Sequence, residues 1–333
     1  MREGIAYAGN LIVDRIRHID RLPRRSELSF IHGTGRSTGG ACNGAISMKL
    51  LAPDLPVSVY GAAGTDAEGD FILSQFERHG VETKGIIRRG ETAFTDVYEE
   101  SSTHCRTFFY FGGANDTFDV EDIDYDALDC RILQVCYPLL LRTLDMPDAQ
   151  YGSRMGILLH RAQQAGCLTA LDVISEDSDR YASLVRPLLA YTDYLTVNEI
   201  EAERITGIRL TGEDGRLLEE NVPTALREML TLGVSRRAII HAPSAAFGME
   251  ADGTYYREKG KRLPEGFIKG TVGAGDAFCA GALLAAYRGL RVWEALRWGN
   301  AAAVQSLRGD TSNGAVVTME ECLKNYDELS SEG

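Results

Sequence analysis

The seven cysteines of this 333-residue sequence include no CxxC pair, which excludes a zinc ribbon or a small disulfide framework as the organising device. Single scattered thiols (Cys42, Cys105, Cys130, Cys136, Cys167, Cys279 and Cys322) fit a reducing compartment. No run reaches the roughly 18 apolar residues of a membrane span, and the opening "MREGIAYAGNLIVD" lacks the apolar region of a signal peptide. A cytoplasmic protein with no membrane partner is the expectation. Positive charge is scarce. With 35 Lys and Arg against 48 Asp and Glu the net charge is −13, which argues against a general nucleic-acid binder but leaves room for a local phosphate pocket. Neither common nucleotide fingerprint is complete. In "GTGRSTGGACNGA" Thr38 stands where a third dinucleotide-binding glycine should follow Gly33 and Gly35, and "GAGD" lacks the Lys-Ser/Thr of a P-loop.

What is present reads as α/β. The apolar stretches Gly4–Gly9, Val57–Gly64, Arg131–Cys136, Leu168–Val173, Asp193–Asn198 and Arg237–His241 predict short strands. Segments with helical spacing lie between them, including "GACNGAISMKLLA", "GDFILSQFERHG" and "GSRMGILLHRAQQAG". The pattern implies a mostly parallel sheet covered on both faces, with ligands beyond the carboxyl ends of its strands. Thr92–Gly113 breaks the alternation and reads as a hairpin, and together with a segment near Ile19–Gly33 it predicts a β flap. No repeat or linker divides the chain.

Three stretches carry the chemistry. In "KGTVGAGDAFCAGALLAAYRGL" glycines and Asp276 precede an apolar run, Ala277–Tyr287, that reads as a helix closed by Gly289. Glycines at a helix N-terminus can bring several backbone N–H groups to one point, which suits an anion. Asp276 is then either a base beside that anion or a helix-start acid. In "LTVNEIEAERITG" Asn198 and Glu201 have the spacing of a capping box, the reading the stretch favours when taken alone, and a site that reaches Mg²⁺ through water is the other reading. Asn10 and Asp14, just past the first strand, are either hydroxyl-binding groups or part of an ordinary turn.

Taken in order, these stretches resemble the ribokinase-like (PfkB) family of carbohydrate kinases over nearly the whole chain. "GNLIVD" resembles its opening sugar-binding segment, and "GGACNGA" with "GAAGTDAEGDF" its first signature. "GGAN" at Gly112–Asn115 resembles the end of the lid hairpin, "TVNEIEAERITG" the N-x-x-E magnesium motif, and "TVGAGDAFCAG" the second signature. The resemblance implies a three-layer α/β sandwich across 1–333 with a discontinuous β lid at about 15–36 and 90–113, which can serve as a homodimer surface. It also implies transfer of the γ-phosphoryl of ATP to a hydroxyl of a sugar or sugar-like substrate. Asp276 would be the base, and the Gly273, Ala274 and Gly275 amides the anion hole. Asn10, Asp14, Gly39, Gly40 and Asn43 would hold the acceptor, with Asn198, Thr271, Gly273, Gly275 and Asn300 on the nucleotide side and Asn198 and Glu201 organising Mg²⁺ through water. A nucleoside kinase and a metabolite-binding homologue with little turnover are the alternatives.

Three positions depart from the family pattern. Gly270 stands where the family usually has Asp, which predicts independence from K⁺. "HAPSAAFG" at His241–Gly248 keeps only the last glycine of the nucleotide-side loop. Cys136 falls where ribokinase itself carries a ribose-contacting Glu, so ribose does not follow as the substrate.

Overall fold

The computed structural model describes residues 2–101, 103 and 105–329. Its strands are β1 (Ile5–Gly9), β2 (Leu11–Ile19), β3 (Ile31–Gly40), β4 (Val57–Ala63), β5 (Glu82–Arg88), β6 (Ala93–Glu100), β7 (Arg106–Phe111), β8 (Ile132–Cys136), the short β9 (Pro147–Asp148) and β10 (Gly152–Ser153), β11 (Leu168–Asp172), β12 (Tyr194–Asn198), β13 (Arg237–Ala242), β14 (Ala245–Glu250) and β15 (Tyr255–Lys259). The helices are α1 (Ala41–Leu51), α2 (Ala67–His79), α3 (Arg154–Gln164), α4 (Glu199–Thr206), α5 (Val222–Thr231), α6 (Ala274–Tyr287), α7 (Val292–Ser306) and α8 (Met319–Asp327).

Every residue of β1 is buried, with Ile5 and Tyr7 in one apolar cluster and Ala6 and Ala8 in the other. A strand enclosed on both faces needs this continuous apolar run. The first cluster takes in α1, α2, α6 and α8, and the second α3, α4 and α5, so the sheet is the middle of three layers. Among the described residues that sheet has the order β15-β14-β13-β12-β11-β8-β1-β4-β5, parallel except for the antiparallel edge of β13, β14 and β15. All six strands expected from the apolar stretches form, five of them one residue shorter at one end and that at Arg237 one residue longer.

A second sheet, β3-β2-β6-β7, leaves the first at Asn10. The hairpin expected at Thr92–Gly113 is β6 and β7; positions 102 and 104 of its turn lie outside the described residues. Its companion is a correction. The paired residues are Leu11–Ile19 and Ile31–Gly40, and most of Ile19–Gly33 is the connection between them. Asp14 and Arg15, polar in sequence, alternate across this two-sided ribbon, so hydrophobicity alone conceals the strand.

Two glycines shape the approach to the cleft. Gly40 has φ +63, and a Cβ there would lie 2.3 Å from the Asn10 carbonyl, so only glycine lets β3 turn into α1 against Asn10. Gly273, at φ +77, is the N-cap of α6 and packs on Ser312. The helix therefore starts at Ala274, three residues before the apolar run, and Asp276 falls in its first turn. The stretch His241–Gly248 is also corrected: it is a strand, a turn at Pro243–Ser244 and a second strand. Gly248 lies inside β14, where a Cβ would meet Val292 of α7 at 2.4 Å, so that glycine serves packing.

Candidate active site

The parallel strands β1, β8, β11, β12 and β13 end in one crevice, and a residue at or next to the end of each stands there: Asn10, Tyr137, Asp172, Asn198 and, one before the last, His241. This is where an open α/β sheet binds ligands. Asp276 reaches the crevice from the start of α6. Tyr137 donates a 2.6 Å hydrogen bond to its Oδ1, and Asn43 Nδ2 donates one of 3.1 Å to its Oδ2. Asn43 is itself oriented by Thr38, whose hydroxyl donates to Asn43 Oδ1 at 2.9 Å. Burial raises the Asp276 carboxyl above its ordinary value, while the Tyr137 and Asn43 bonds oppose that rise by stabilising the ionised form.

The acceptor-side residues gather around this carboxylate. Asp14, on β2, is pushed up to about 7 by burial and then by the charge of Asp276, against a hydrogen bond from Thr95 and the charge of Arg106. Gly39 lies against it, with a Cβ direction 2.9 Å from Asp14 Oδ2. Asn10 is fully buried; its Nδ2 donates to the Tyr110 hydroxyl of the second sheet at 2.9 Å, and its Oδ1 has no protein partner. A buried acceptor without a donor is the kind of group that a ligand hydroxyl satisfies. Asn10, Asp14, Gly39, Gly40, Asn43 and Asp276 thus form one group.

On the other side of the α6 N-terminus is a cleft of about 460 Å³ whose walls include Asn198, His241, Thr271, Ala274, Gly275 and Asn300. Asn300 Nδ2 is buried there, with the Tyr326 side chain beside it. Of the first-turn amides of α6, Ala274 N–H makes only a long 3.5 Å bond to the Thr271 carbonyl, and Gly275 and Asp276 N–H have no carbonyl one turn back within the helix, so they point to the crevice as donors. Gly273 does not join this wall, because it packs behind it on Ser312. The His241 ring stacks on Phe278 with centroids 4.7 Å apart, and burial holds its pKa down at about 4.

Asn198 and Glu201 form a complete capping box. Glu201 is 5% exposed, accepts from Ser175 (2.8 Å), Asn198 Nδ2 (2.9 Å) and Asn198 N (3.0 Å), and is raised to about 7 chiefly by burial. Capping and a role toward a metal are therefore not exclusive, since three accepted bonds leave part of the carboxylate's capacity for a water. Sequence reasoning missed Tyr137, Tyr110, Thr38 and Asp172. Tyr137 and Asp172 had one available signal, their place at the carboxyl ends of predicted strands. Asp172 is buried, its carboxyl raised well above the usual range by burial and by the nearby Asp276 and Glu201 charges. Cys136 is buried in the core.

No helix of the described residues is long and apolar enough to cross a membrane. The chain is 24% identical to a ribokinase of Staphylococcus aureus (strain COL) over 333 aligned residues, covering 96% of this chain and 99% of that protein. Its fold matches that of an Arabidopsis thaliana ribokinase solved with ribose and ATP, with a TM-score of 0.77, 21% identity and coverage of 97% and 98% of the two chains. It also matches a Methanocaldococcus jannaschii nucleoside kinase of the ribokinase family, with a TM-score of 0.75, 15% identity and coverage of 98% of each chain. The pfkB family carbohydrate kinase profile spans residues 3–316, and with a ribokinase-like fold and an aspartate at the glycine-rich start of α6 the chain belongs to that family of enzymes, which transfer phosphate to a hydroxyl.

Proposed function

We propose that this carbohydrate kinase transfers the γ-phosphoryl of ATP to a hydroxyl of an uncharged sugar, polyol or nucleoside, with Asp276 as the base. The observation that carries the proposal is the position of Asp276, oriented by Tyr137 and Asn43 where the acceptor-side group meets the cleft beside the α6 N-terminus. An alcohol attacks phosphorus well only when its proton has an acceptor within hydrogen-bond reach. Asn10 Oδ1 and Asp14 accept the substrate's other hydroxyls and fix which one faces Asp276. The amides of Ala274 and Gly275 at the α6 N-terminus stabilise charge on the transferring phosphoryl oxygens. Thr271 and Asn300 line the nucleotide side, where the solved ribokinase with ATP supplies the nucleotide identity.

The residues fit magnesium in one way. Among the described residues no three His, Cys, Asp or Glu side chains cluster as a ligand set, so the ion would be carried by nucleotide phosphates and reached through water by Glu201 and Asn198. When bound it would supply charge neutralisation on the phosphates. Substrate charge follows from the acceptor side. Asp14 and Asp276 are both acids, and Arg106, the cation that acts on Asp14, is paired with Glu99 at 2.7 Å. An anionic sugar acid would meet like charge there, which favours a neutral acceptor. The four-stranded sheet is the lid over this site, tied down by Tyr110. A second copy of the chain fits its outward face, where Ile31 and Phe109 are 50% and 55% exposed; a monomer by sedimentation at micromolar concentration removes that part of the proposal.

An ATP-consumption panel of pentoses, hexoses, polyols, nucleosides and sugar acids tests the function. Turnover with a neutral acceptor, lowered about 10²–10⁴-fold by Asp276→Asn while nucleotide still binds, is the expected result. Nucleotide binding with silence across the panel would leave a metabolite-binding homologue. Near-normal turnover of the variant would return Asp276 to the role of a helix-start acid.

A further inference from the structure

At the opposite end of the sheet from the crevice, Cys130 and Cys167 sit just before β8 and β11, two adjacent parallel strands. Their sulfurs are 3.6 Å apart, and the residues are 1% and 4% exposed. Arg2 Nη1 lies 3.9 Å from Cys167 Sγ. The other cysteines offer no such arrangement: among the described residues no other thiol pair is in sulfur–sulfur contact. We propose that Cys130 and Cys167 are a reversible modification site, a dithiol that a peroxide oxidises to a disulfide joining the amino ends of β8 and β11.

The chemistry closes without a further reactant. The Cys167 thiolate attacks one oxygen of hydrogen peroxide, the O–O bond breaks, and the sulfur becomes a sulfenic acid as the departing hydroxide takes up a proton to give water. Cys130, giving up its proton, attacks that sulfur and displaces hydroxide, which leaves as a second water. Two protein thiols are oxidised and one peroxide is reduced to two waters. The roles follow from the surroundings. The Arg2 guanidinium beside Cys167 favours the thiolate on that sulfur, which leaves the proton between the two sulfurs with Cys130. Peroxide is small enough for a nearly buried sulfur. A larger oxidant such as glutathione disulfide is excluded sterically from a thiol so covered. The bond would close a loop containing α3, which restricts the unfolded chain, while Tyr137 and Asp172 at the far ends of the same strands stay in place.

The test uses full-length Cys105→Ser protein, so that the exposed thiol of Cys105 does not respond. Treatment with near-stoichiometric hydrogen peroxide should remove two alkylatable thiols, lower the mass by about 2 Da, link the peptides containing residues 130 and 167, and raise the Tm by roughly 5 °C. Dithiothreitol should reverse all four changes, and turnover should be unchanged. Adding Cys130→Ser should abolish the link and leave an oxygen adduct on Cys167. Oxidation that stops at oxygen adducts with both cysteines present, or a link that forms elsewhere, would overturn the proposal; so would full retention of both free thiols.

Discussion

The hydroxyl of Tyr137 is the most informative atom to remove. It donates to Asp276 Oδ1 at 2.6 Å, the shorter of the two side-chain bonds the carboxylate accepts. Burial drives Asp276 toward its protonated form, and these bonds hold it back. A hydrogen bond to an ionised group contributes about 1.5–3 kcal/mol, which corresponds to about 1–2 pH units in the titration of the group. In Tyr137→Phe the Asp276 pKa therefore rises, and the acid limb of the kcat profile moves up by the same amount. A base works only when ionised, so turnover at a pH below both limbs should fall about 10–100-fold. Above the shifted limb it should return to the parental value, since a more basic carboxylate is no worse an acceptor. The assay is ATP turnover at saturating substrates from pH 5 to 9. A uniform loss at every pH with the limb unmoved would refute the reasoning and make Tyr137 a substrate contact or a packing residue. Because Asp14 also titrates near 7 and feels Asp276, the limb belongs to the pair, and only its displacement is diagnostic.

Glu201→Gln keeps a capping side chain, so its Tm should change little while the Mg²⁺ concentration for half-maximal turnover rises; a loss of stability of about 1 kcal/mol with unchanged Mg²⁺ response would mean that only the cap matters. Asp14 is raised in the folded protein, so its contribution to stability is present at acidic pH and is lost as pH rises from about 4 through about 7. Asp14→Asn removes that loss, and the Tm difference between variant and parent should be more favourable at pH 8 than at pH 5; an identical difference at both values contradicts the burial of this carboxyl. Gly270 offers no side-chain oxygen, and a Cβ there would lie 2.8 Å from the Gly309 carbonyl, leaving no room for the carboxylate that related kinases often place beneath this loop. Activity should be equal in K⁺ and in a bulky organic cation at matched ionic strength. Saturable activation by K⁺ would instead implicate another acid, and Asp310 packs beside Gly270.

The sequence by itself determined the family, the alternation of strands and helices, and the segment that carries Asp276. These are local properties: a buried parallel strand must be a continuous apolar run, and a glycine-rich turn into a helix leaves its mark over a few adjacent positions. It also showed Asn198 and Glu201 at capping spacing. Tertiary structure decided what those residues touch. Asn43 meets Asp276 across 233 positions of chain and Tyr137 meets it across 139, distances over which no periodicity carries information. The four-stranded sheet was half legible for the same kind of reason. Its hairpin of β6 and β7 is local, whereas β2 pairs with β6 in parallel across a long connection, and polar Asp14 and Arg15 conceal a strand whose two faces meet different surroundings. Packing made the remaining decisions. It turned Gly248 from a loop residue into one pressed on α7, left a buried oxygen of Asn10 without a protein partner, and gave Asp276 a basicity that depends on two neighbours remote in sequence. Hydrogen bonding and burial act through space, so the identity of the candidate base was readable in the chain, but the environment that tunes it arises only when the strands align their ends.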